Sequence, residues 1–110
     1  MAVGGYMEDV RAVTRHIPPG RVTTYGAIAE FLTLGSARMV GWALFQGVSL
    51  TDDLPAHRVV NRRGELSGRN HFSTPTTMQE RLEAEGVVVR NDRVEDFATR
   101  FWSPNELLNL

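Results

Sequence analysis

The run PAHRVV at 55–60 sets an imidazole and a guanidinium, His57 and Arg58, directly after a residue that offers only a methyl group. Nucleophilic catalysis needs a weak acid beside a group that can take its proton, so sulfur or hydroxyl at position 56 would make His57 an activating base. Ala56 has no such proton to give. On these residues alone three readings stay open: a disabled catalytic site, a binding site, or an ordinary strand entry.

Composition removes other chemistries. The chain contains no cysteine, which excludes thiol catalysis, disulfides and thiolate metal sites together. His16, His57 and His71 follow no metal-ligand spacing, and no cofactor is expected. A hydrolase would have to recruit Ser67 or Ser73 with His57, yet neither serine sits in a nucleophile-elbow motif. All 12 basic residues are arginine, against 13 acids, for a net charge of -1. That balance argues against a bulk polyanion binder but permits a local basic face. Arginine's planar fork suits phosphates and base edges, although genome composition alone also produces such a bias.

These side chains must be positioned by a small scaffold. With 110 residues, 42% of them hydrophobic, the chain can bury one core, so residues 1–110 are expected to form a single domain. No apolar run approaches the roughly 18 residues of a membrane span, and MAVGGYMEDV lacks a signal-peptide pattern, so a cytoplasmic protein without membrane contact is expected. Val10, Val13 and Ile17 recur at helical spacing from Tyr6, and PPG at 18–20 ends that helix. RVTT predicts a short strand. Thr24 is a good N-cap for a second helix over 25–33 with Ile28 and Leu32 inward, broken by Gly35. Ser36 then caps a third helix through Phe45, with Ala37, Val40 and Leu44 inward and Arg38, Gly41, Trp42 and Phe45 on other faces.

Two short helices joined by a tight turn are a helix-turn-helix signature. Residues 46–55 read as a loop, and NRRGELSG as a turn at Gly64 between extended segments. Thr74-Pro75 opens a helix to Glu85 with Met78 and Leu82 inward, and Gly86 stops it. VVVRNDRVEDF predicts a hairpin around Asn91-Asp92, the shape of a wing, and Ser103-Pro104 opens a short final helix. The fold class is therefore mainly α with short β elements, a winged helix-turn-helix.

Five stretches now stand in order: IPPGRVTTYGAIAE at 17–30, SARMVGWAL at 36–44, PAHRVV at 55–60, GELSGR at 64–69 and QERLEAEGV at 79–87. Together they resemble the C-terminal DNA-binding domain of the O6-alkylguanine-DNA alkyltransferases. In that family the third stretch is PCHRV, whose cysteine accepts an alkyl group from a flipped guanine; here Ala56 stands at that position. A chain with this frame and no nucleophile is similar to the alkyltransferase-like branch, which binds alkylated guanine without repairing it.

The resemblance implies a role for each matching residue. Arg38 would fill the gap left by an everted nucleotide, with hydrogen bonds and stacking in place of the lost pairing. Tyr25 would crowd the target phosphate and favour rotation. Ser36, Ala37 and Gly41 would let the helix approach a minor groove, where Trp42 is bulkier than the family's usual residue. Ala56 would floor the pocket and Arg69 would lie over it. His57 and Glu85 match the family's base and orienting carboxylate; with no thiol to serve, they are expected to be a buried hydrogen-bonded pair that shapes the pocket with Pro55, while Arg58 braces the loop.

The implied function is non-enzymatic recognition of O6-alkylguanine in duplex DNA by a monomer that signals to nucleotide excision repair proteins. The alternatives are an alkyltransferase inactivated by cysteine-to-alanine replacement, and a winged-helix transcription regulator reading sequence in the major groove.

Overall fold

The computed structural model describes residues 5–46 and 54–109; most of the loop expected over 46–55 lies outside them. The chain opens with α1 (Gly5–Arg15), β1 (Thr23–Thr24), α2 (Tyr25–Phe31) and α3 (Ala37–Phe45). A single 3-10 turn at Ala56–Arg58 leads into β2 (Val59–Val60). After a second 3-10 turn (Arg69–His71) come α4 (Thr77–Ala84), the hairpin β3 (Val89–Arg90) and β4 (Arg93–Val94), α5 (Phe97–Arg100) and a 3-10 segment, Pro104–Asn109. This is the winged helix-turn-helix that the periodicity predicts.

Two apolar clusters fill it. The spacing of Val10, Val13 and Ile17 turns them onto one face of α1 and its C-terminal extension, where they meet Ile28 and Ala29 of α2 and Val40, Ala43 and Leu44 of α3. Met78 and Leu82 of α4 pack with Val22, Val60, Leu66, Val87, Val89 and Val94 in the second cluster. The parallel pairing of β1 with β2, Thr23 opposite Val59 and Thr24 opposite Val60, joins the halves. The C-terminal segment adds a strap, since the Val22 N–H donates to Arg100 O at 3.0 Å and the Trp102 N–H to Val22 O at 2.7 Å.

Local chemistry explains most boundaries. The Thr24 Oγ1 accepts the Ala27 N–H at 2.9 Å and starts α2 as expected. Asn91 and Asp92 adopt φ of 54° and 59°, the two left-handed residues that a two-residue hairpin turn demands. Gly86, at φ 88°, closes α4, with its N–H donating to Glu83 O and the Val87 N–H to Leu82 O. That is the doubly bonded C-terminal motif glycine favours.

Four expectations need correction. Helix α2 ends at Phe31 and not at Thr33, because the same doubly bonded motif forms with Thr33 at φ 54°: the Thr33 N–H donates to Glu30 O and the Leu34 N–H to Ala29 O. A β-branched residue in that region is strained, so the helix-turn-helix turn is set by Thr33 and not by Gly35. Ala37 is exposed, and Ala43 takes its place in the buried stripe of α3. Helix α4 starts at Thr77: Thr74 Oγ1 accepts the Thr76 N–H at 3.3 Å and Thr74 O the Thr77 N–H at 3.2 Å, so Thr74-Pro75 forms a turn ahead of the regular helix. The stretch after β4 leaves the extended state at Asp96, φ 56°, and forms α5.

Candidate nucleic-acid interface

His57 and Arg58 belong to a closed polar node. The 3-10 turn that follows Pro55 points both side chains at Glu85, the C-cap residue of α4. Glu85 Oε2 lies 2.8 Å from His57 Nε2 and accepts Arg58 Nη2–H at 2.7 Å. Glu85 Oε1 accepts Arg58 Nε–H at 3.0 Å and the Gly20 N–H at 3.1 Å. Arg58 Nη1–H donates to Ile17 O at 2.8 Å, tying the node to the end of the first helix.

Burial alone would raise the Glu85 pKa, but the hydrogen bonds from Arg58, then His57 and Gly20, hold it at about 2. Burial pushes the His57 pKa below its ordinary value, against the opposing hydrogen bond to Glu85. A neutral imidazole facing an ionised carboxylate carries its hydrogen on Nε2, so Nδ1 presents a lone pair. That atom is buried without a partner among the described residues. Ala56, 1% exposed, offers no proton for it. The pair expected of His57 and Glu85 forms, and Arg58 braces it.

A different arrangement lies on the exposed side of α3. Residues 38, 41, 42 and 45 recur at helical spacing, and the side chains of Arg38, Trp42 and Phe45 with Gly41 form one wall of a cleft of about 420 Å³. The opposite wall is the Ser67-Gly68 segment with His71, and Tyr25 fills one end. Phe45 and His71 stack, with centroids 4.2 Å apart and planes within 6°. Tyr25 is hydrogen-bonded to Ser67, and burial raises its pKa despite that bond, so the phenol keeps its proton. A Cβ at Gly68 would come within 2.7 Å of Tyr25 Oη and 3.0 Å of Phe45 Cζ, so glycine here lets both side chains lie close against the backbone.

Trp42 is 53% exposed, an unusual cost for an indole unless something covers it. Arg38 is exposed and has no hydrogen-bond or ion-pair partner among the described residues. Ser36 is exposed, makes no capping bond to its own helix, and with Arg38 and Trp42 lines a smaller neighbouring cleft.

The structure thus brings Tyr25, Ala37, Arg38, Gly41 and Trp42 to one cleft. It leaves three expected members elsewhere: Ser36 lines the neighbouring cleft, and the other two lie outside both. Ala56 is buried and does not line the cleft. Arg69, expected over the pocket, is drawn toward the wing: its Nη1–H donates to Leu66 O at 3.1 Å and its Nε lies 3.9 Å from Asp92 Oδ2. Phe45, Ser67, Gly68 and His71 join the cleft without having been expected there. Phe45 was signalled by its place at i, i+4, i+7 from Arg38; His71 meets it only through tertiary packing. Among the described residues no group of histidine and carboxylate side chains is suited to hold a metal ion, and no helix is long and apolar enough to cross a membrane.

Comparison with known proteins agrees with this geometry. Residues 5–87 match the family described as 6-O-methylguanine DNA methyltransferase, DNA binding domain. The chain is 34% identical over 93 residues to alkyltransferase-like protein 1 of Schizosaccharomyces pombe, covering 80% of this chain and 85% of that protein. It is 35% identical over 101 residues to the DNA base-flipping protein of Escherichia coli, covering 89% and 74% respectively. Among solved structures, S. pombe Atl1 in complex with damaged DNA containing O6-carboxymethylguanine superposes with a TM-score of 0.80 at 31% identity, over 94% of this chain and 100% of that one.

Proposed function

The chain belongs to the family of the 6-O-methylguanine DNA methyltransferase DNA-binding domain, and from that premise we propose that it recognises O6-alkylguanine in duplex DNA, everts the nucleotide and transfers no alkyl group. The observation that carries this reading is the contrast between a His57–Arg58–Glu85 node whose charged groups are bonded to one another and an open cleft in which Arg38 and Trp42 of α3 are exposed, Arg38 without a partner among the described residues. Helix α3 enters the minor groove, Arg38 occupies the vacated place in the stack, and Tyr25 stands against the rotating phosphate. Eversion costs a few kcal/mol and least for a badly paired base, which is where preference for a lesion arises.

Alkyl transfer needs a nucleophile. Ala56 stands where the resemblance places the acceptor cysteine, and the His57 Nδ1 lone pair has no thiol to deprotonate. The complex therefore persists as a marker, and a monomer bound to it presents the site to nucleotide excision repair components. The names of the S. pombe and E. coli relatives, and the damaged DNA held by Atl1, support the reading.

Prolonged incubation with an O6-methylguanine duplex tests the absence of chemistry. The protein mass and the methylated base should both be unchanged when the complex is taken apart. A protein heavier by one methyl group would refute the proposal.

A further inference from the structure

Four of the chain's 12 arginines, Arg15, Arg38, Arg62 and Arg63, have no side-chain hydrogen bond, ion pair or ring contact among the described residues; the other eight are engaged. Three of the four line two neighbouring grooves. Arg38 borders the cleft described above; Arg62 and Arg63 border a second groove of about 460 Å³, and the two grooves share Tyr25 and Ala37. Adjacent guanidinium groups repel each other unless an anion lies between or beside them.

The loop beneath them is built to hold that position. Asn61 Oδ1 accepts the backbone N–H of Arg63 at 2.9 Å and of Glu65 at 2.8 Å. Arg93 Nε–H donates to Arg63 O at 2.8 Å. Gly64 makes the turn at φ 80°, where a Cβ would lie 3.1 Å from Phe97 Cγ. The acid that lines this groove, Glu65, has its Oε1 occupied by Asn61 Nδ2–H at 2.8 Å. A fixed backbone carrying two guanidinium forks into one groove, without partners among the described residues, suits the charge and fork-like bonding of phosphodiester oxygens.

We propose that Arg62 and Arg63 form a second anchoring point for DNA phosphates, on the far side of Tyr25 and Ala37 from Arg38. The proposal rests on the DNA-binding reading above and adds a lesion-independent contact to it. Its ligand is the sugar-phosphate backbone, so it raises affinity for any duplex and leaves the choice of base to the cleft.

The test titrates the intact protein with one duplex, unmodified and with a single O6-methylguanine, across a salt series. The proteins compared are wild type, Arg62→Gln/Arg63→Gln, Arg62→Lys/Arg63→Lys and Arg15→Gln, each checked for an unaltered melting curve. The double glutamine variant should lose about 1.8 from the log-log salt slope on both duplexes, at about 0.9 per phosphate contact, with an unchanged ratio of the two affinities. The lysine pair should keep the slope, and Arg15→Gln should match wild type. A full slope in the double glutamine variant, or an equal loss in Arg15→Gln, would overturn the proposal, and so would a collapsed affinity ratio at constant slope. A wild-type protein that binds both duplexes equally would defeat the lesion reading instead, and the slope comparison would still decide this one.

Discussion

The His57–Arg58–Glu85 node and the α3 cleft hold the same kinds of side chain in opposite conditions. In the node, one carboxylate accepts bonds from two cationic or polar side chains and a backbone N–H, and Arg58 reaches on to Ile17 O. In the cleft, Arg38 and Trp42 are exposed and Arg38 has no protein partner among the described residues. A histidine beside an arginine invites a catalytic reading, yet the engaged group is the one that holds the fold. The difference teaches that charged side chains mark a site where their bonding capacity is left open; in the node the open position is His57 Nδ1, beside a residue with no proton to give.

The harshest way to break this contrast is to open the node. Glu85→Ala leaves the part-buried Arg58 guanidinium without its counter-charge, and should cost about 2–4 kcal/mol of stability, toward the buried-pair limit, read as a large drop in the urea midpoint. If the node were a solvated surface cluster, the loss would stay below about 1 kcal/mol.

Acid should attack the same region. The Glu85 pKa is lowered from 4.5 to about 2, so its contribution is fully present above the unfolded value and is lost as pH falls from about 4.5 toward 2; solvent screening of this part-buried group keeps it to roughly 1–3 kcal/mol, below the full value of the shift. The His57 pKa is also lowered; the unfolded chain then binds the extra proton first, and stability begins to fall once pH drops below about 6.5. Melting curves from pH 8 to pH 3 should decline in those two windows, and Glu85→Gln should abolish the lower one. A flat profile would contradict the assigned bonding.

The cleft should respond in the reverse sense. Arg38→Ala should change stability by less than about 0.5 kcal/mol and weaken lesion binding by about 1–3 kcal/mol, with a smaller signal from a fluorescent base beside the lesion. Lysine should restore only part of the loss because it lacks the stacking plane. Undiminished affinity in Arg38→Ala would remove the cleft from the interface.

The smallest effect comes from the turn that sets the helices apart. Thr33→Gly relieves a left-handed β-branched residue and should add about 1 kcal/mol of stability, seen as a melting point a few degrees higher, with lesion binding unchanged. Lower stability would mean that the Thr33 hydroxyl bond to Leu32 O outweighs the strain.

Much of this was legible in the sequence wherever a local rule was decisive. Thr24 before an amphipathic run, Asn91-Asp92 between valines, and Gly86 after Leu82 each satisfy one backbone demand that few residues meet. The His57–Glu85 pairing followed from the resemblance and from the cost of leaving either group buried alone. What stayed hidden depends on distant contacts. Thr33 gives no local sign that it, and not Gly35, closes α2. The stacking of His71 on Phe45, the turn of Arg69 toward Asp92, and the lack of a carboxylate partner for Arg62 and Arg63 among the described residues depend on contacts between segments distant in sequence.

The central claim, recognition by the open cleft without chemistry at the node, is tested most directly by titrating one duplex twice, once with guanine and once with O6-methylguanine at the same position. A lesion that pairs poorly is cheaper to evert, and burying its methyl group adds about 0.8 kcal/mol. The expected preference is about 1–2 kcal/mol, roughly 5- to 30-fold tighter binding of the methylated duplex, with both strands recovered intact. Equal affinity for the two duplexes would contradict the account.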